Sequence, residues 1–124
     1  MKIEQLADIL KGDLRKKTKN KITGYCIDTR TLKKGDVYFA ISGKVTDGHK
    51  FVEDAILKKA STIVVSSYQK EWLRKKVNVI VVDDTTLALI RLASFFRMTY
   101  PIPLIAITGS VGKTTTKELV YEVL

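Results

Sequence analysis

The chain has 124 residues, of which 45% are hydrophobic and 28% charged, with a formal net charge of +9. That length can bury one core of ordinary size with some chain left over, and the apolar residues fall in short periodic segments rather than in a run long enough to span a bilayer. Cys26, the single cysteine, excludes an internal disulfide and fits a reducing compartment.

The opening Met1-Lys2-Ile3-Glu4-Gln5 puts an acid where a secretory signal needs its apolar stretch, so a cytoplasmic protein without membrane insertion is expected. Ile3, Leu6, Ala7 and Leu10 recur at helical spacing, and Gly12-Asp13 ends the pattern. Residues 22–27 and 37–41 are rich in β-branched and aromatic side chains and read as strands, the second entered through the turn Lys34-Gly35-Asp36. Residues 43–49 form a polar, glycine-punctuated loop, after which Phe51, Val52, Ala55, Ile56 and Ala60 resume helical spacing. Buried strands are expected over 62–65 and 77–82, with one or two helical turns over 68–76 between them, a strand-helix-strand order that implies parallel pairing. Asp83 or Asp84 caps a helix running to Tyr100 on an apolar stripe of Leu87, Ile90, Leu92, Ala93 and Phe96. Pro101 and Pro103 break that helix, and residues 104–107 form a short strand leading into Thr108-Gly109. The fold class is therefore α/β, with a first domain over residues 1–82 and the beginning of a second over 83–124.

Chemistry concentrates in Thr108-Gly109-Ser110-Val111-Gly112-Lys113-Thr114-Thr115-Thr116, placed between that strand and a helix through Lys117, Glu118, Leu119, Val120 and Val123. Glycines let successive backbone N–H groups turn inward toward phosphate oxygens, and the helix N-terminus adds partial positive charge. Lys113 would reach the β- and γ-phosphates as a point charge, and the Thr114 hydroxyl is placed to ligate a Mg2+ ion bridging them. Ile107 stands where the general phosphate-loop pattern has its first glycine, so the match rests on Gly109, Gly112, Lys113 and Thr114. An incidental glycine-rich strand-to-helix turn is the bland alternative.

With this loop the sequence resembles the Mur ligases of bacterial cell-wall synthesis, whose central domain carries Thr-Gly-x-x-Gly-Lys-Thr-Thr. Asp28-Thr29-Arg30, Lys34-Gly35-Asp36-Val37-Tyr38-Phe39-Ala40-Ile41, Gly43 and Asp47-Gly48-His49-Lys50-Phe51 resemble that family's N-terminal UDP-sugar-binding domain in order and spacing. Thr29 keeps the hydroxyl of the serine more often found after that aspartate. The resemblance implies a small α/β substrate-binding domain followed by the first helix, strand, phosphate loop and helix of a P-loop ATPase-like central domain. It implies ATP and Mg2+ held by Gly109, Ser110, Val111, Gly112, Lys113, Thr114 and Thr115, with Lys113 catalytic and Thr114 on the metal. It also implies UDP-sugar contacts from Thr29, Arg30, Gly43, Asp47, Gly48 and His49.

Lys117-Glu118 after the threonines looks most like the branch that joins D-alanyl-D-alanine to UDP-N-acetylmuramoyl-tripeptide. The route implied is phosphorylation of the substrate's terminal carboxylate by ATP, then attack of the incoming amine on the acyl phosphate. The tripeptide-forming branch and folylpolyglutamate synthetase share the loop, and the first-domain motifs argue against the folate enzyme. The family's magnesium-binding glutamate and histidine, its modified lysine and its amine-binding C-terminal domain have no counterpart before Leu124. The chain is accordingly expected to be a truncated or fragmentary ligase, inactive alone, with oligomerisation or domain swapping open to its partial second domain. A non-catalytic UDP-sugar-binding module is a second class of reading.

Other features carry less. His49, the one histidine, has no ligand-spaced cluster around it and is read as a hydrogen-bonding or packing residue. Asp28 and Arg30 can pair with each other or contact uracil or diphosphate, and Asp83 and Asp84 are caps rather than an acid–base pair. Trp72 is read as a packing anchor and Cys26 as a small core residue. The basic surplus gathers in residues 11–21 and 70–76, which are separated in sequence and lack the interleaved aromatics of a single-strand binder. They are read as solvated faces, with no nucleic-acid partner expected.

Overall fold

A computed structural model describes residues 1–43 and 47–99. The strand expected over 104–107, the phosphate loop and the helix after it lie outside the described residues, as do residues 44–46. The elements are α1 (Ile3–Leu10), β1 (Asp13–Lys16), β2 (Gly24–Cys26), β3 (Asp36–Phe39), a 3-10 segment (Gly48–Phe51), α2 (Val52–Leu57), β4 (Thr62–Val65), a second 3-10 segment (Lys70–Arg74), β5 (Asn78–Val81) and α3 (Thr85–Thr99). One five-stranded sheet runs in the order β1-β5-β4-β3-β2. Strands β2 to β5 are mutually parallel and β1 closes one edge antiparallel to β5.

Side chains alternate across a strand, so each strand supplies two cores. Val37, Phe39, Val64, Ile80 and Val82 face α1 and α3, where they meet Leu6, Leu10, Ala88 and Leu92. Tyr38, Ala40, Ile63, Val65 and Val79 face α2 and the second 3-10 segment, against Val52, Ala55 and Trp72. The layers are helix, sheet, helix, which is why the central strands read as continuous apolar runs. Burying Leu6 and Leu10 completely contributes about 1.5–3 kcal/mol each, more than helix propensity gives an eight-residue helix by itself.

Three expectations are corrected. Residues 13–16 form a strand that the periodicity did not announce, within a basic run that is solvated as expected: Asp13 pairs with Val81 and Leu14 with Ile80, with a register shift before Lys16 pairs with Val79. The segment has one apolar residue because an edge strand needs only Leu14 inward, and its charges blunt the exposed edge. The helix expected from Phe51 begins earlier, as the 3-10 turn from Gly48 capped by Asp47. The strand over 22–27 is confined to Gly24–Cys26.

α3 begins where Asp84 accepts from Thr86 N at 2.9 Å and Leu87 N at 3.1 Å, an N-cap worth about 1 kcal/mol. The helix shares one core with α1 and the sheet: Ala88 and Leu92 are fully buried there, and Arg91 Nη1 donates to the Leu10 carbonyl at 3.2 Å. Phe96 meets Tyr25 edge to face at 5.9 Å.

Candidate functional site

In a parallel sheet the loops that leave the carboxyl ends of neighbouring strands open on the same side, and that is where such folds bind ligands. Here those loops carry Asp28 to Arg30 after β2, Ser42 to His49 after β3 and Ser66-Ser67 after β4. β2 and β3 are adjacent, with Cys26 opposite Tyr38, so the first two groups stand side by side.

The loop after β3 is closed at its base by an antiparallel bridge between Ser42 and Asp47. Gly48 N donates to the Ile41 carbonyl at 2.8 Å, and the Gly48 carbonyl accepts from the Tyr38 hydroxyl at 2.9 Å. The glycine is a packing requirement, because a Cβ there would lie 2.7 Å from Ile41 N and 2.9 Å from its carbonyl oxygen. Burial, more than its charged neighbours Asp28 and Asp47, pushes the Tyr38 phenol up to about 12. Tyr38 is therefore a permanent donor at neutral pH.

Asp47 Oδ1 accepts from His49 N at 3.0 Å and from Ser42 Oγ at 3.2 Å, and stands 2.7 Å from His49 Nδ1. The far ring nitrogen, Nε2, accepts from Ser66 N at 2.9 Å and Ser67 N at 3.3 Å. With Nε2 accepting these backbone bonds, Nδ1 is the ring nitrogen that donates to Asp47. The backbone N–H of His49, then its side chain, holds the Asp47 carboxyl below the usual carboxylate range. The result is a bracket, Asp47–His49–Ser66/Ser67, that ties the loop after β3 to the loop after β4.

On the β2 side, Asp28 accepts from Arg30 N at 2.9 Å and pairs with the guanidinium through Nη2 at 2.7 Å. That pair raises the Arg30 pKa, yet the Arg30 side chain is 87% exposed, so it can turn toward an anion at little cost. Lys58 Nζ donates to the Thr29 carbonyl at 2.7 Å, anchoring the turn to the end of α2, and Thr29 is buried.

Of the residues singled out in the sequence, the structure thus gathers Thr29, Arg30, Asp47, Gly48 and His49 at one edge of the sheet, with Gly43 exposed beside them. Cys26 is a buried core residue, and Sγ also stands 2.8 Å from the Asp28 carbonyl. Trp72 packs as expected, 2% exposed, against Tyr68. Sequence reasoning missed Ser66, Ser67, Tyr38 and Lys58; a polar pair directly after a buried parallel strand was the available signal for the serines. Gly109 to Thr115, including Lys113 and Thr114, lie outside the described residues. Among the described residues no group of three or more His, Cys, Asp or Glu side chains could hold a metal, and no helix is long and apolar enough to cross a membrane.

The family model described as Mur ligase family, catalytic domain, matches residues 21–97. A UDP-N-acetylmuramoyl-tripeptide–D-alanyl-D-alanine ligase of Synechocystis sp. is 42% identical over 104 residues, 84% of this chain and 23% of the relative. A UDP-N-acetylmuramoyl-L-alanyl-D-glutamate–2,6-diaminopimelate ligase of Geobacter sulfurreducens is 32% identical, across 100% of this chain and 25% of the relative. The chain therefore spans about a quarter of the length of these relatives. Among solved structures, MurF from Acinetobacter baumannii superposes with a TM-score of 0.68 at 24% identity, covering 77% of this chain and 21% of that one. MurF ligase from Thermotoga maritima, solved in complex with ADP, gives 0.54 at 22% identity, covering 75% and 18%. At those identities the structural likeness establishes the fold.

Proposed function

The chain belongs to the Mur ligase family, and from that premise we propose that it is the N-terminal portion of the ATP-dependent ligase that joins D-alanyl-D-alanine to UDP-N-acetylmuramoyl-tripeptide. The observation that carries this reading is the pairing, on one chain, of the Asp47–Gly48–His49 bracket at the carboxyl edge with the Gly109 to Thr115 loop. The first unit binds the UDP-sugar and the second begins the ATP site. Because Ala88 and Leu92 are buried in the first unit's core, we place the division between the units after Thr99 rather than at Val82.

Each group has a task. The bracket fixes the loop after β3 before substrate arrives, which lowers the ordering cost of binding. Arg30 supplies an exposed cation for the diphosphate, with Asp28 holding it in place until then. Gly109, Ser110, Val111, Gly112, Lys113, Thr114 and Thr115 would hold ATP and Mg2+, which supply the phosphoryl group that turns a poor carboxylate electrophile into an acyl phosphate. Lys113 neutralises charge on the transferred group, and the Thr114 hydroxyl ligates the metal. A cytoplasmic setting agrees with these substrates.

A specific observation favours one second reading. The Geobacter relative, named for the preceding addition of diaminopimelate, aligns with the whole chain. Calorimetric titration separates the readings. Saturable binding of UDP-N-acetylmuramoyl-tripeptide, at least tenfold tighter than the dipeptide form and weakened at least tenfold by Arg30→Ala, is expected. Equal or tighter binding of the dipeptide would favour the diaminopimelate-adding branch. Absence of any UDP-substrate binding would overturn the assignment of the first unit.

A further inference from the structure

The two lysine-rich runs that are separate in the sequence meet at the amino ends of the parallel strands, the opposite edge from the bracket. Three contacts bring them together. Thr18 N donates to Asn78 Oδ1 at 2.5 Å, and the buried Asn78 amide donates onward to Thr62 Oγ1 at 3.2 Å. Asn20 Nδ2 donates to the Lys76 carbonyl at 2.8 Å. Lys16 Nζ donates to the Leu73 carbonyl.

Beside this seam opens a cleft of about 510 Å3, lined by Lys21, Lys34, Lys59, Lys75 and Lys76 over a floor that includes Ile56 and Ala60. No acid, arginine or aromatic ring is among its described lining residues. All five lysines are exposed, and among the described residues none of them is held in an ion pair. Gly35, at φ +94°, donates its N–H to the Lys59 carbonyl at 3.0 Å, which fixes the wall that carries Lys34 against the wall that carries Lys59.

Five like charges around one concavity repel one another, and a multivalent anion seated between them reverses the sign of that energy. Ammonium groups act as point charges without the fixed fork of arginine, so such a site selects for charge number rather than for planar geometry. With no ring to stack on, it offers nothing to a nucleobase. The volume is that of a small-ligand cleft. We propose that this amino-edge cleft binds a compact anion carrying two or more linked phosphate groups, through residues other than those of the UDP-sugar bracket and the phosphate loop.

The test is an amide chemical-shift titration of the whole chain with sodium tripolyphosphate. Saturable shifts are expected at Gly35, Lys59, Ser61 and Lys76, with Asp47 to His49 unmoved. The triple substitution Lys34→Gln, Lys75→Gln, Lys76→Gln should weaken binding at least tenfold while the spectrum stays dispersed. The same loss of charge through Lys11→Gln, Lys50→Gln and Lys70→Gln should change binding less than twofold, as should Lys113→Ala. In the Lys113→Ala background, ATP should bind no more tightly than tripolyphosphate, which separates free polyphosphate recognition from nucleotide recognition. Unmoved cleft amides, equal losses in the two lysine triples, loss on Lys113→Ala alone, or a tenfold preference for ATP would each overturn the proposal. So would saturation by anionic vesicles or an oligonucleotide without any by tripolyphosphate.

Discussion

The two edges of the sheet are built by opposite means. At the carboxyl edge, contacts are mostly short in sequence: Asp47 to His49 is two residues apart, Tyr38 to Gly48 ten, and His49 to Ser66 seventeen. At the amino edge, Thr18 reaches Asn78 across 60 residues, Lys16 reaches Leu73 across 57, and Asn20 reaches Lys76 across 56. The first edge is a set of turns that close on themselves and can be ordered locally. The second exists only once β1 has joined β5, so its charge pattern is a product of the finished sheet.

The sharpest way to break the comparison is Gly48→Ala. A methyl at 2.7 Å from Ile41 N must displace backbone, at a cost of about 3 kcal/mol. Denaturant unfolding measures it, and a loss below about 1 kcal/mol would mean the close approach relaxes cheaply. Next is Tyr38→Phe, which leaves the Gly48 carbonyl, in a buried residue, without its donor for about 1.5 kcal/mol. The same phenol gives a sign that can be checked. Its folded-state pKa is raised to about 12, so its contribution is whole below the ordinary tyrosine value near 10 and is lost as pH rises through the raised value. Comparing phenolate absorbance of the parent with Tyr38→Phe should show that the substitution removes a high-pH step.

His49→Ala should cost less, about 1 kcal/mol, because Ser66 and Ser67 are exposed and water can replace the lost acceptor. The larger effect would be in the loop after β3, seen as faster amide exchange at Gly48 and His49 with β4 unchanged. Asp47 gives the acid-side counterpart. Its carboxyl sits below the usual range, so the bracket contributes fully above the ordinary carboxylate pKa and fades as pH falls through the lowered folded value. Asp47→Asn should flatten that dependence. The smallest expected effect is the amino-edge triple Lys34→Gln, Lys75→Gln, Lys76→Gln, within about 0.5 kcal/mol of the parent. A stabilisation beyond that would mean that the five lysines strain the fold more than exposed charges ordinarily do.

Much of the fold was legible. The period of Ile3, Leu6, Ala7 and Leu10, the buried runs of β4 and β5, the Asp84 cap and the Trp72 anchor are each written in a few consecutive residues. The candidate site was legible only through the family resemblance of Asp28-Thr29-Arg30 and Asp47-Gly48-His49, and the structure gives the second motif its physical content, an Asx-type cap and a close-packed glycine. β1 was not legible, since an edge strand needs only one inward side chain and its charged neighbours look like loop. Ser66 and Ser67 were marked only as a polar pair after β4, and their role was hidden because it runs mainly through backbone N–H groups to His49.

By itself the sequence determined the α/β class and the phosphate-loop pattern, which rest on periodicity and turn chemistry among neighbouring residues, and its motifs carried the family likeness and the carboxyl-edge residues by resemblance to the Mur ligases. The tertiary structure alone decided that α3 packs in one core with α1 and the sheet and that His49 bridges two loops. It also decided that two distant lysine runs share one cleft. Those outcomes depend on which strands pair and which face each helix covers, and such choices are made by burial across the whole sheet rather than by any neighbouring residues.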